Sequence, residues 1–225
     1  MKKTNLPNLI QKIFPNQDFC RKLVEIARII KVKRNEVVYI PGDRSNEIYI
    51  VLEGVLLISR ITSTGKGVIL DYLGKNDLFG EEYLLGAKEG RWELVEAKKR
   101  SVLLAVSIEE FHKLLKIYPE LYCQLVKIFL KRQKKLASRL EILLYRQVKV
   151  RLAALLLDLS RNYGKKTRQG VLINITIPHH ELARFIGSTR ETVSATISEL
   201  KKEKLIIGSG RRFILPNPFL LEALL

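Results

Sequence analysis

The sequence predicts an α+β fold: an N-terminal antiparallel β-sandwich or barrel (the class that includes the jelly roll), a long helix suited to dimerisation, and a C-terminal winged helix-turn-helix. Three observations carry that expectation. Between Val37 and Ser107, short β-branched and aromatic runs alternate with turn residues. From Leu121 to about Tyr145, a glycine-free stretch repeats leucine and isoleucine at helical spacing. Beyond Pro178, two short helical patterns flank Gly187, and a hairpin pattern follows.

Taken in order, residues 8–30 read as short helices punctuated by Pro15. Strands then run through "VVYIPGDRSNEIYIVLEGVLLISRITSTGKGVILDYLGKNDLFGEE", with turns at Pro41-Gly42-Asp43, Glu53-Gly54, Gly65-Lys66-Gly67 and Gly74-Lys75-Asn76-Asp77. "ELVEAKKRSVLLAVS" closes this first domain, residues 1–107. Ser107 with Glu110 three residues on is a capping-box start. A long helix and hinge follow over 108–148, with Leu121, Leu125, Ile128, Leu136, Leu140 and Leu143 in phase. A rod of roughly 25 residues is nearly 40 Å long, more than one small barrel needs for cover. It either packs wholly on its own barrel or offers a second apolar face to the same helix of another subunit. Residues 149–225 form the last domain: the helix "VKVRLAALLLDLSRNYG", a loop "KKTRQG", a strand "VLINITI", helices at about 179–186 and 189–202, and a hairpin turning at Gly208-Ser209-Gly210.

Charge points to a polyanion. The chain of 225 residues carries a net charge of +17, which favours nucleic acid or an acidic membrane surface. The first 107 residues hold 18 basic against 13 acidic side chains, and the last 77 hold 13 against 6, so the excess is denser beyond the strands. A lysine-rich solvated surface would read the same way. No apolar run approaches the roughly 18 residues of a membrane span, and the N-terminus lacks a signal peptide's apolar core. A cytoplasmic protein with no membrane partner is expected. No nucleophile–base pairing or metal-ligand spacing suggests an enzyme or a metal site.

The stretch "GSTRETVSATISELKKEKLI" sharpens the reading. At 100° per residue, Val193, Thr196, Ile197 and Leu200 share one face; Glu191, Ala195, Ser198 and Lys202 lie opposite, flanked by Arg190, Ser194 and Lys201. Gly187 permits a sharp turn, and Ala183 lets two helices approach. An arginine that can donate twice to guanine, a glutamate that can accept from cytosine and small neighbours suit a major groove. Ser188 and Thr189 are placed to cap the helix and offer N–H groups and hydroxyls to phosphate. His179 and His180 open the first helix toward phosphate, and Arg211 and Arg212 sit near the tip of a wing. A two-helix corner with a solvated surface would share this pattern.

With strands, long helix and helix-turn-helix in that order, nearly the whole chain resembles the cyclic-AMP receptor protein and fumarate-nitrate-reduction regulator family. "YIPGDRSNEIYIVLEGVLLI", "GKGVILDYLGKNDLFGEE" and "LARFIGSTRETVSATISELKKEKLI" carry the resemblance. It implies a cupin-like β-roll that senses a small effector, and a homodimer placing two recognition helices in successive major grooves of double-stranded DNA, about 34 Å apart. It also implies contact with RNA polymerase if the regulator activates. Arg190 and Glu191 match base-reading positions, and Ser194 resembles a base-contacting serine. Ala195 departs from an arginine common there, which implies a TGTGA-type half-site with altered preference at one position.

The resemblance also marks effector-pocket candidates. Gly80 and Glu81 resemble the loop that holds a cyclic nucleotide's phosphate and ribose, and Arg91 takes the phosphate-binding arginine's place. Trp92 stands where a small hydroxyl residue is usual, Leu136 and Ala137 where the long helix offers hydroxyls to adenine, and Glu82 adds negative charge. These departures argue against cyclic AMP, and an internal Glu81–Arg91 ion pair is the alternative role for those two residues. Two cysteines, Cys20 and Cys123, cannot supply the four ligands of an iron–sulfur cluster. His112 is a poor haem ligand at a helix start. The effector stays unidentified. The rival function is a sensor module or regulatory subunit that binds no DNA, distinguished by salt-insensitive behaviour toward a duplex.

Overall fold

The computed structural model describes residues 6–61, 67–85, 90–208 and 211–225. The expected turns at Gly65-Lys66-Gly67 and Gly208-Ser209-Gly210 lie partly outside these residues. The chain forms two compact units, Met1–Gln133 and Lys134–Leu225, and the division falls inside the long helix.

The first unit opens with α1 (Leu6–Ile10) and α2 (Gln17–Ile26), and Asn16 caps α2 by accepting from the Phe19 N–H. Two antiparallel four-stranded sheets follow. One has the order β1 (Arg28–Val32), β8 (Ser101–Ser107), β3 (Glu47–Glu53), β6 (Leu78–Phe79); the other β2 (Val37–Tyr39), β7 (Leu94–Ala97), β4 (Leu56–Ile61), β5 (Gly67–Leu73). The alternation of β3 explains the layering. Tyr49 and Val51 point into a buried cluster shared by the sheets, with Leu56, Ile58, Phe79, Val95 and Leu103. Ile48, Ile50 and Leu52 point the other way, onto Phe14, Phe19, Leu23, Phe111 and Leu115 of the helical layer. A strand covered on both faces loses the hydrophobic–polar alternation of a half-exposed one. Strand β1 is different: it is a short edge strand, Arg28–Val32, with only Val32 buried, and it follows α2 after a single residue, which is why residues 8–30 read as helices throughout.

Ser107 caps α3 (Ile108–Ile117): its Oγ accepts from the Glu110 N–H at 3.2 Å and donates to the Glu110 carboxylate at 2.9 Å. The long helix α4 runs Leu121–Leu144. Leu121 and Leu125 are buried in the first unit, whereas Tyr122, Val126, Leu130, Leu136, Leu140, Leu143 and Leu144 are exposed. These exposed residues fall on one side of the helix and form an apolar stripe.

In the second unit, Ile142 of α4 is buried and the Arg139 guanidinium lies over the Phe185 ring. Helix α5 (Val148–Tyr163) buries Leu152, Leu155, Leu156 and Leu159, and Arg151 donates to the Tyr145 carbonyl where α4 ends. Then come β9 (Gly164–Thr167) and β10 (Gly170–Ile173), with β11 (Ile214–Leu215) on the far side of β10. Strand β9 replaces an expected loop. "GKKT" has no apolar residue to announce a strand, and all four residues are exposed along an edge paired only to β10. Among the described residues, no helix is long and apolar enough to cross a membrane.

Candidate nucleic-acid interface and effector site

Helices α6 (His179–Ile186) and α7 (Arg190–Lys202) meet at Gly187, whose φ of 60° and ψ of 51° are left-handed. The nearest neighbour of a Cβ there would be Leu143 at 3.8 Å, so the turn requires glycine's backbone freedom rather than its small size. Leu182, Ala183 and Ile186 of α6 and Val193, Thr196, Ile197 and Leu200 of α7 are buried, which closes the corner. The opposite face of α7 presents Arg190, Glu191, Ala195, Ser198 and Lys202 to solvent, with Ser194 and Lys201 half-buried at its margins.

Thr189 caps α7, its Oγ1 accepting from the Thr192 N–H at 3.2 Å. Ser188 does not share that role: its N–H donates to the Ala183 carbonyl at 3.0 Å, so that donor closes α6 and is withdrawn from any phosphate. Lys149 of α5 bridges Glu199 and Glu203 at 2.8 and 2.7 Å, tying down the C-terminal end of α7 and leaving its N-terminal turn open. His179 turns its Nδ1 to Ser194 Oγ at 2.8 Å and stacks on Phe213, 6.4 Å between ring centroids. Arg211 and Arg212 are exposed beside the wing strand. The arrangement offers a cationic side chain, carboxylate and hydroxyl acceptors, and a capped helix N-terminus on the exposed side of α7.

The β-roll site turns inward instead. Arg91 is 2 % exposed. Its Nε donates to Ser45 Oγ at 3.2 Å, Nη1 to the Gly80 carbonyl at 2.8 Å, and Nη2 to the carbonyls of Ser45 (2.8 Å) and Glu47. Nη1 also pairs with Glu82 Oε1 at 3.0 Å. The guanidinium lies against the rings of Tyr39 and Tyr83 at 4.5 and 4.7 Å. Gly80 has φ 81°, and a Cβ there would stand 2.9 Å from both Arg91 Nη1 and the Glu47 carbonyl, so glycine is required for this packing.

The geometry corrects three expectations. The internal pair is Arg91–Glu82, not Glu81–Arg91; Glu81 pairs with Arg132 of α4, which also donates to the Leu78 carbonyl at 2.6 Å. Glu82 is no surplus charge against an anion but the counter-ion of Arg91. All three guanidinium nitrogens of Arg91 are committed to protein oxygens, so it has no donor for a ligand phosphate. Trp92 points outward, 57 % exposed, with Arg60 over its ring at 5.9 Å. Leu136 and Ala137 are exposed and have no hydroxyl to offer adenine. A cyclic nucleotide does not fit these residues.

Glu93, which no sequence signal singles out, belongs to the same region. Burial and the nearby Glu82 push its carboxyl up to about 7, against the pull of Arg91 and Arg60. The Cys20 thiol is buried, donates to the Phe14 carbonyl at 3.2 Å, and is pushed up to about 11 by burial, which removes thiolate character. Cys123 is exposed.

Comparison with known proteins supports both halves. A cyclic nucleotide-binding domain matches residues 29–118 and a Crp-like helix-turn-helix domain matches residues 150–224. The global nitrogen regulator of Nostoc sp. is 30 % identical over 191 residues, 84 % of this chain and 86 % of that protein. Among solved structures, a transcriptional regulator of the CRP/FNR family from Thermus thermophilus superposes with a TM-score of 0.69 at 27 % identity, covering 88 % of this chain and 97 % of the other. The c-di-GMP responsive regulator CLP of Xanthomonas campestris has a TM-score of 0.78 at 20 % identity, covering 89 % and 99 %, a likeness of fold alone.

Proposed function

The chain belongs to the CRP/FNR family of transcription regulators, and from that premise we propose that it reads a near-palindromic duplex with the N-terminal face of α7. The family consists of transcription factors rather than enzymes, and its helix-turn-helix makes DNA the partner and a homodimer the working form. A sensor module with no DNA binding is thereby set aside. One observation carries the finer reading: α7 buries Val193, Ile197 and Leu200 while a capped, open N-terminal turn presents Arg190 and Glu191.

On this reading, Arg190 donates to a guanine and Glu191 accepts from a cytosine amino group. Ser194 and Ser198 approach the base edges. Thr189, Lys201, Arg211, Arg212 and the outer edge of His179 hold backbone phosphates, and Ser188 lies beside them through its side chain alone. The exposed stripe of α4 pairs two subunits, and the domains divide near residues 107 and 148. A small effector other than a cyclic nucleotide biases the segment Tyr145–Val148, by binding its two arrangements unequally. RNA polymerase is the further partner and the cytoplasm the setting.

The test is selection of bound duplexes from a random-sequence pool by the full chain, followed by binding across a salt series. Phosphate contacts predict a steep fall of affinity with salt. Enrichment of no sequence, or affinity indifferent to salt, overturns the proposal.

A further inference from the structure

The two serine hydroxyls of α7 have their protons accounted for. Ser194 Oγ lies 2.8 Å from the Arg190 carbonyl, and Ser198 Oγ 3.0 Å from the Ser194 carbonyl. A carbonyl oxygen has no hydrogen to give, so in each contact the serine is the donor. A serine has one proton. Each hydroxyl can therefore only accept from whatever meets its solvent side.

Ser194 is constrained further. Its second partner is His179 Nδ1 at 2.8 Å. With the serine proton directed at Arg190, the imidazole must supply the hydrogen of this contact, which places N–H at Nδ1 in the neutral and the charged ring alike. Packing holds the ring in that orientation. It is half-buried and lies nearly parallel to Phe213, 29° between planes, and Phe213 is itself 1 % exposed. His179 takes one of the two serine lone pairs, and one is left.

We infer that Ser194 reads DNA as a single-lone-pair acceptor, fixed in that role by His179, and selects a base bearing an exocyclic amino group on the strand it faces. That base is adenine through N6 or cytosine through N4; guanine and thymine offer only acceptors at the corresponding edge. The inference rests on the proposed reading of α7 as the groove-entering helix. Ser194 contacts the base, and His179 is a positioning residue. The donor–acceptor polarity of the face follows: Arg190 donates, while Glu191, Ser194 and Ser198 accept.

The experiment uses the full chain and a duplex chosen by selection. In one half-site, each adenine is replaced in turn by purine, which lacks the N6 amino group, and each cytosine by 2-pyrimidinone, which lacks N4. A parallel series carries 7-deaza purines, which lack the N7 acceptor. Wild type and Ser194→Ala are compared by fluorescence anisotropy. The expected result is one position where amino removal weakens wild type about two- to tenfold, the worth of one neutral hydrogen bond, and leaves Ser194→Ala unaffected. His179→Phe keeps the stack on Phe213 but removes the N–H; it should relax discrimination at that position alone. Coupling of Ser194 to a 7-deaza substitution, or to no substitution, overturns the inference. Loss of the phosphate contact of His179 lowers affinity evenly, so the positioning role is read from discrimination: a His179→Phe chain that still discriminates at the Ser194-coupled position as wild type does overturns it. Failure of the proposed function looks different: no selected duplex and no salt dependence for the wild-type chain.

Discussion

Arg91 and Arg190 carry the same side chain in opposite circumstances. Arg91 is buried, with every guanidinium nitrogen on a protein oxygen and tyrosine rings against its faces. Arg190 is exposed at the first turn of α7, beside the Thr189 cap. The first binds the fold to itself; the second is available to something else. Resemblance alone assigns both arginines to ligands, so the difference lies in what surrounds each: three backbone carbonyls and a carboxylate around one, solvent around the other.

The contrast can be broken most forcefully at Arg91. Arg91→Ala strands the Glu82 carboxylate and three carbonyls in the interior, and we expect a loss of about 3–5 kcal/mol of stability in urea titration. Arg91→Lys should rescue little, because an ammonium lacks the planar fork that meets Gly80, Ser45 and Glu47 together. A stable Arg91→Ala protein with new affinity for cyclic AMP would mean that the cage is a ligand site after all. Arg190→Ala is the mirror experiment. It should leave stability within about 0.5 kcal/mol and cost about 1–3 kcal/mol of discrimination at one guanine, seen as equal binding to the selected duplex and its single-base variant.

The β-roll cage should also show itself in pH. Glu93 has its carboxyl raised from an ordinary 4.5 to about 7 in the folded chain, so between those values the native state holds a proton that the unfolded chain has released. Stability contributed by this group is therefore complete below about 4.5 and declines as pH rises to about 7, with a slope of at most about 1.4 kcal/mol per pH unit. Glu93→Gln should flatten that slope in denaturation curves measured from pH 5 to 7. An unchanged slope would mean that Glu93 is solvated. The smallest effect is expected at Thr189. Thr189→Ala removes the cap from α7 and should cost about 1 kcal/mol, with Thr189→Ser restoring it in thermal unfolding.

How much the sequence discloses follows the same division. Helix α7 is legible because its burial is one-sided: Val193, Ile197 and Leu200 recur at the period of a helix facing a core, and Gly187 marks the turn before it. The capping box at Ser107 and Glu110 is legible because its partners lie three residues apart. Pairings across the β-roll are not. Glu81 and Glu82 are neighbours in a 3-10 turn, Glu81–Leu85, where successive side chains diverge by roughly 120°. One therefore meets Arg132 of α4 and the other Arg91, and no local rule says which. The His179–Ser194 contact spans 15 residues and two helices, and depends on the angle at Gly187. Strand β9 gives no apolar signal, and β1 is a five-residue edge strand with only Val32 buried, set directly after α2.

Paired copies of this chain press the Arg190 face of α7 into DNA: that is the central claim, and anisotropy tests it directly. The full chain is titrated onto a selected near-palindromic duplex and onto the same duplex with one half-site scrambled, and both titrations are repeated with Arg190→Ala. We predict tight, salt-sensitive binding of two subunits to the intact site, a large loss when either half is scrambled, and a loss of discrimination between the two duplexes in the variant. Equal affinity for intact and scrambled sites, or an Arg190→Ala chain that discriminates as well as wild type, would contradict it.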